Sequence, residues 1–370
     1  MTSIDKGLQK IRVIHLIDTL EPGGAERVAV NIINSLPSEK FERFLCTTRY
    51  GGPLLKEKKD DICYLGLNRK STFDIKALIK LYLFIKEYQI QIIHAHSSSL
   101  FISVVMKLLI PSLKVIWHYH SGSIVKYIPL LIIYKKFSKK VDFVITVNQE
   151  LKEWSIKSLG VAPQKSKFVP NFIVKSSEIA IENFPGFENS RIVCVANFRP
   201  VKDHHTLIKA MRIVCNKFPY VHLILLGDNL DQEYTSCILN EINEFNLQSN
   251  ISWLGSITNV QSYLKYCNIG VLSSKSEGLP LSLLEYGLIG LPVIVTNVGQ
   301  CAEVVDYGKA GVLVEPEQPE SLAQAIILLL ENESIRNDLA VKFHEKVINK
   351  YSSQAVIPEV IKIYEQVLKQ

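Results

Sequence analysis

Short runs of aliphatic and β-branched residues alternate along the chain with longer segments whose apolar positions recur every three to four residues. Residues 11–17, 44–48, 90–94, 114–117 and 143–147 read as buried strands, and about 25–36 and 74–88 as amphipathic helices. A connector containing Pro and Ser follows near 168–177, with a polar stretch to Ser190, and then the alternation restarts. Residues 191–196, 222–226, 251–254, 269–272 and 292–295 read as strands, while 204–217, 234–246 and a segment from about Pro280 read as helices. The end, 319–370, reads as helical. Strands interleaved with helices of this length imply βαβ units on parallel sheets. The pattern predicts an α/β protein of two doubly wound, Rossmann-like domains, 1–172 and 173–355. They would face each other across a cleft at the carboxyl ends of the strands, where such sheets bind ligands.

Composition agrees with a globular chain: 370 residues, 47% hydrophobic and 21% charged, too apolar for disorder and long enough for two domains. Seven cysteines, an odd number with no CxxC spacing, exclude a disulfide scaffold and argue against a clustered zinc site. They point to a reducing cytosol. The polar start MTSIDKGLQK runs into the first strand and does not read as a secretion signal, and the apolar stretches 100–106 and 127–134 are far short of the roughly 18 residues that span a bilayer. The expectation is a soluble, cytoplasmic protein.

Charge changes that picture. Residues 1–172 carry a net +12 and residues 173–370 a net −6. The basic excess peaks over 111–175, with 11 lysines against Asp142, Glu150 and Glu153. There the apolar run 127–134 is followed by Lys135, Lys136, Lys139 and Lys140. An apolar run beside clustered lysines suits a surface resting on anionic lipid headgroups. A buried helix followed by a solvated charged turn is the alternative. Nucleic acid is not the expected partner, since the patch has little Arg and no helix-turn-helix, RNA-recognition or zinc-finger pattern.

Three strand-to-helix loops carry candidate chemistry. Glu21-Pro22-Gly23-Gly24-Ala25-Glu26 offers two glycines at a helix start, either a tight turn or a place where a phosphate approaches the backbone. Its spacing is not GxGxxG, so no nicotinamide or flavin fingerprint is present. Asn197-Phe198-Arg199-Pro200-Val201-Lys202-Asp203 sets two cations three residues apart, able to grip a diphosphate and offset charge on it as it departs. The third loop runs through Glu277-Gly278-Leu279-Pro280 into Leu281, with Pro280 suited to the first helical position and the N–H groups of Leu281, Ser282 and Leu283 open to an anion. Glu285 lies about one turn further in, on an otherwise apolar stretch; a carboxylate there suits two vicinal sugar hydroxyls or a buried ion pair.

These residues resemble glycosyltransferase family 4, a large retaining family with the GT-B architecture. The resemblance rests on Glu277…Glu285 as its E-x7-E motif within S-x-x-E-G-L-P, GGAE after the first strand, His94-Ala95-His96, Val169-Pro170-Asn171 at the connector, and Gly255 after a short strand. It covers about residues 11–330. It implies that Gly23 and Gly24 approach the donor phosphates and that Arg199 and Lys202 neutralise the diphosphate. Glu277 and the backbone of Gly278, Leu279, Pro280 and Leu281 would hold the donor sugar, and Glu285 the ribose. The histidine facing the reacting sugar would be His120 in the loop His118-Tyr119-His120-Ser121-Gly122, with His118 as a second candidate and with His118 and His96 as possible acceptor-side residues. The chain departs from the family with Ala196-Asn197 where Gly-Arg is usual, and with Phe172 after Pro-Asn where Gly is usual.

The implied reaction is transfer from a UDP- or GDP-linked sugar to a saccharide or lipid-linked saccharide in cell-surface polysaccharide synthesis (capsule, exopolysaccharide or lipopolysaccharide), with configuration retained. Neither Asp60-Asp61 nor Asp228…Asp231 forms the DxD pattern that holds a metal in other transferases, so metal independence and no cofactor are expected. The C-terminal helix, about 356–370, is expected to return to the first domain, as the family's does. Two rivals remain on the same residues: a sugar-nucleotide 2-epimerase using Glu285 and His120, and a non-catalytic nucleotide-sugar-binding subunit.

Overall fold

The computed structural model describes residues 10–71, 74–120 and 128–369. Two compact units form. Unit 1 takes the chain up to Phe172 together with the segment from Ser353, and unit 2 is Ile173–Ser352.

Unit 1 is built on strands β1 (Ile11–Ile17), β2 (Phe41–Thr47), β3 (Cys63–Gly66), β4 (Ile92–His96), β5 (Lys114–Tyr119), β6 (Phe143–Thr146) and β7 (Ser166–Phe168). They make one parallel sheet in the order β3-β2-β1-β4-β5-β6-β7. Its helices are α1 (Gly24–Ser35), α2 (Ile75–Glu87), α3 (Leu100–Leu109), α4 (Ile128–Ser138) and α5 (Gln149–Lys157). Unit 2 carries β8 (Arg191–Val195), β9 (His222–Leu226), β10 (Ile251–Trp253), β11 (Ile269–Leu272), β12 (Val293–Thr296) and β13 (Val312–Val314), ordered β10-β9-β8-β11-β12-β13 and parallel throughout. Its helices are α6 (His204–Lys217), α7 (Gln232–Glu244), α8 (Val260–Leu264), α9 (Leu281–Ile289), α10 (Cys301–Val304), α11 (Pro319–Glu331) and α12 (Glu333–Tyr351). Each sheet reverses its strand order once, between β1 and β4 and between β8 and β11, the position where doubly wound sheets bind ligands.

The last helix, α13 (Ser353–Leu368), belongs to unit 1. Tyr364 is fully buried with its ring edge-on to Phe41, and two ion pairs, Glu365 with Lys40 and Glu359 with Lys167, fix its flanks. Three features differ from the sequence reading. The C-terminal segment is three helices, broken at Asn332 and at the extended Ser352. The short edge strands β3, β7 and β13 are absent from the sequence reading. Strand β4 starts two residues later than expected and runs on past His94 to His96, both histidines being fully buried.

All seven cysteines are free thiols, and burial pushes those of Cys194, Cys267 and Cys301 up to about 12. Among the described residues no helix is long and apolar enough to cross a membrane. The basic apolar run forms α4, where Ile132 (62%) and Ile133 (44%) are exposed beside exposed Lys135 and Lys136. The opposite face is buried, with Tyr134 in the core and Leu130, Leu131 and Phe137 packed against it, so the helix is half buried. Tyr127, at the start of the run, lies outside the described residues, as do Ser121 and Gly122.

Candidate active site

In unit 2 the loops after β8 and β11 meet because these strands are neighbours at the reversal of strand order. Lys202 Nζ donates to Glu277 Oε1 at 2.6 Å, and Ser274 Oγ donates to the same oxygen at 2.7 Å. The Glu277 side chain is only 8% exposed. A carboxylate this buried is held by its cation and hydroxyl, since an unpaired charge there would cost several kcal/mol. Both bonds fall on Oε1, which leaves Oε2 as an acceptor for a ligand.

The Lys202 loop is anchored from beneath. Phe198 is fully buried, stacked on His204 at 4.4 Å and packed against Trp253, and its N–H donates to Asp228 O at 2.9 Å. Asp203, with left-handed φ of 49°, caps α6 by accepting from the Thr206 N–H at 3.4 Å, and its other oxygen accepts from Thr206 Oγ1 at 2.7 Å. Arg199 is exposed at the rim and makes no ion pair among the described residues. Asn197 is already engaged: its Oδ1 accepts from the Asp228 N–H at 2.8 Å, so only its amide N–H group is left for a ligand.

The Glu277 loop leads into α9, whose first turn has no side-chain cap. Pro280 is the extended residue before the helix rather than its first helical residue, as the sequence suggested. The opening N–H groups of Leu281, Ser282 and Leu283 remain without intrahelical acceptors and add the positive end of the helix dipole. Leu279 is buried (7%), so it can meet a ligand only through its backbone. Glu285 is partly exposed on a helix whose Leu283, Leu284 and Tyr286 are fully buried. Sequence reasoning missed Gly299. It adopts φ +54°, and a Cβ there would sit 2.0 Å from the Glu277 carbonyl oxygen, while the next residue's N–H holds Gly278 O at 3.0 Å. Only glycine allows that approach.

In unit 1, Gly23 and Gly24 open α1. The space around Gly24 is open, whereas Glu26 bends back so that a Cβ on Gly23 would meet its Oε2 at 2.3 Å. Burial, with a smaller effect from Asp18, raises the Glu26 pKa. His94, His96 and His118 project from the neighbouring strands β4 and β5, where His96 pairs with His118 in register. Register also brings His15 of β1 beside His94, a residue the sequence reading passed over. With His120 these rings form one cluster, His118 stacking on His120 at 3.9 Å and His94 on His96 at 4.6 Å. Burial lowers the pKa of all five, that of His120 to about 3, so the rings are neutral.

Residues 22–176 match the family described as Glycosyltransferase Family 4, and residues 178–346 match Glycosyl transferases group 1. The chain belongs to glycosyltransferase family 4. An uncharacterized glycosyltransferase of Methanocaldococcus jannaschii is 30% identical over 240 residues, 58% of each chain. The UDP-Gal:alpha-D-GlcNAc-diphosphoundecaprenol alpha-1,3-galactosyltransferase of Escherichia coli is 24% identical over 96% of this chain and 97% of its own. Among solved structures, the Anabaena protein HepE in complex with UDP superposes with a TM-score of 0.78 at 18% identity, over 96% of this chain and all of HepE. The fold of this family 4 enzyme is GT-B, and its activity is glycosyl transfer.

Within the enzyme, Lys202 and Glu277 meet in unit 2, and His120 belongs to unit 1. His96 (0%) and His118 (1%) are buried behind His120, so direct acceptor contact, suggested for both by the sequence, is blocked by burial. One acid of each pair has a structural role: Asp61 pairs with Arg43, and Asp231 caps α7 through the Tyr234 N–H at 3.0 Å.

Proposed function

We propose that this enzyme moves a sugar from a UDP- or GDP-linked donor to a saccharide or lipid-linked saccharide with retention, in bacterial cell-surface polysaccharide synthesis. The observation that carries the reading is the Lys202–Glu277 pair at the open start of α9. The α9 N–H groups, Lys202 and Arg199 would bind the diphosphate, and Glu277 Oε2 with the 278–281 backbone would bind the sugar. Glu285 would take the ribose, and Gly23 and Gly24 of unit 1 would approach the phosphates. As the glycosidic bond breaks, negative charge grows on the departing diphosphate; each well-placed donor can stabilise it by roughly 3 kcal/mol. No carboxylate is placed as a nucleophile in this reading. The acceptor hydroxyl attacks from the face the diphosphate leaves, passing its proton to the leaving phosphate, with His120 at the reacting sugar. Cations and helix N–H groups take the role a metal would have, so transfer is expected to continue in EDTA. Support for the donor and acceptor classes comes from HepE, solved with UDP, and from the E. coli relative, named for galactosyl transfer to a diphosphoundecaprenol-linked sugar.

The exposed Ile132 and Ile133 beside Lys135 and Lys136 would rest unit 1 on anionic lipid at the inner face of the cytoplasmic membrane. A panel of nucleotide sugars read by thermal stabilisation, followed by turnover of the best binder with and without Glu277→Ala, tests the reading. Stabilisation by one sugar nucleotide and loss of transfer in the variant are expected; turnover unchanged in Glu277→Ala would overturn it.

A further inference from the structure

Five histidines and one tyrosine of unit 1 form a single unbranched chain of hydrogen bonds. It runs from His120 Nε2 to His96 Nδ1 (2.8 Å), from His96 Nε2 to His15 Nδ1 (3.0 Å) and from His15 Nε2 to Tyr364 Oη (3.0 Å). It continues from Tyr364 Oη to His94 Nδ1 (2.6 Å) and from His94 Nε2 to His118 Nδ1 (3.2 Å). Two ring nitrogens remain, one at each end: His120 Nδ1 and His118 Nε2, both buried and without a hydrogen-bond partner among the described residues. The chain closes only because α13 returns to unit 1 and delivers Tyr364.

The protons in this chain can be counted. A neutral imidazole carries one proton on two nitrogens, and the phenol carries one. Each of the five bonds holds one proton, so the sixth must sit on an end nitrogen. A junction with two protons or none would bury an unmade bond, a cost of roughly 1–3 kcal/mol. Only two complete arrangements exist. With the sixth proton on His118 Nε2, all five rings are Nε2–H tautomers and His120 presents a bare Nδ1. With it on His120 Nδ1, all five are Nδ1–H tautomers and His120 presents a donor.

We propose that Tyr364, His15, His94, His96 and His118 are positioning residues that fix the tautomer of His120 by holding all five rings in one common tautomer. The role of His120 in transfer rests on the function proposed above; the common tautomer does not. Whichever end nitrogen carries the sixth proton sets the tautomer of the whole chain, a population shift without a change of fold. The same rings invite comparison with a metal site, since nitrogens of His15, His94 and His96, and of His96, His118 and His120, lie within 4.8 Å of one another. However, the contacting rings are all within 34° of parallel. Imidazole lone pairs lie in the ring planes, so stacked rings do not aim them at one point.

The test is nitrogen-15 NMR of the imidazoles in the full chain near neutral pH, where the two tautomers have distinct shifts. One shared tautomer across the five rings is expected, and a mixture, or a charged ring, would overturn the proposal without any variant being made. Tyr364→Phe keeps the ring but cuts the chain into His120-His96-His15 and His94-His118. The two segments should then lose their common tautomer, with kcat down about tenfold and the donor KM unchanged. A folded Tyr364→Phe protein that keeps both tautomer and kcat would overturn the proposal, as would uptake of one Zn2+ per chain by these rings. If His120→Ala leaves turnover intact, the assignment of His120 to the transfer site fails, while the tautomer result stands or falls by the spectrum.

Discussion

In both units the strand order reverses once, and in both the strands beside that reversal carry the polar side chains that matter, yet the chemistry differs. At β1, β4 and β5 the polar groups are imidazoles, buried and neutral, hydrogen-bonded to one another and to Tyr364 with one ring nitrogen left over at each end. After β8 and β11 they are a cation and a carboxylate on loops, beside an uncapped helix start. The difference teaches where charge is tolerated. A strand interior has no water to solvate an ion, so His94 and His96 persist in β4 only as neutral, hydrogen-bonded rings. A loop at the strand end can keep a charged pair partly wet, and an anion can enter it.

Removing the charged pair should have the largest effect. Glu277→Ala is expected to lower turnover about 100- to 1,000-fold, as loss of a group acting in the transition state does, and Lys202→Ala by a similar factor; steady-state kinetics with the preferred donor checks both. If both variants kept wild-type rates, the contrast between the units would lose its functional meaning.

Acidification probes the neutral side. The ring pKa values are lowered in the folded chain, so below about pH 6.5 the unfolded chain takes up protons that the folded one refuses. The stability from these rings is therefore complete above that pH and lost as pH falls towards the folded values, by about 1.4 kcal/mol per pH unit for each titrating ring. Five such rings lie in unit 1, against His204, lowered to about 4, and the less shifted His222 in unit 2. Hydrogen exchange, corrected for its intrinsic pH dependence, should show protection of β4 and β5 dropping more than that of β8 and β11 between pH 7 and 5.5. Equal losses would break the comparison.

Gly299→Ala sharpens it. The added Cβ meets the Glu277 carbonyl, a backbone atom that cannot swing away, at a cost of about 1–3 kcal/mol. Turnover and donor affinity should fall while the thermal midpoint of unit 1 stays unchanged. The smallest effect is expected at α4. Lys135→Glu with Lys136→Glu should weaken binding to anionic vesicles by about 1 kcal/mol for each lysine lost and leave transfer to a soluble acceptor intact. Unchanged sedimentation with vesicles would remove the lipid-facing role of that helix.

Most of the fold could be read from the alternation of apolar runs, because a fully buried parallel strand needs continuous apolar residues and its covering helix needs one apolar stripe. The exceptions have local causes. Strands β3, β7 and β13 are short and lie at sheet edges, and the polar His96 hides the last residues of β4. In the site, Glu277 and Lys202 stood out by residue type and loop position. Gly299 did not, since one glycine after a strand looks like any turn, and neither did His15, a single polar residue in an apolar run.

The sequence by itself determined the two doubly wound units, the loops that carry chemistry and the family to which they belong, because periodicity and motif spacing are local properties of the chain. Tertiary structure decided which loops meet and which side chains share protons. Glu277 reaches Lys202 across 75 residues only because β8 and β11 are sheet neighbours, and Tyr364 closes the imidazole chain across 349 residues only because α13 packs back into unit 1. Such pairings are fixed by crossovers and register, and these emerge only when the whole sheet is assembled.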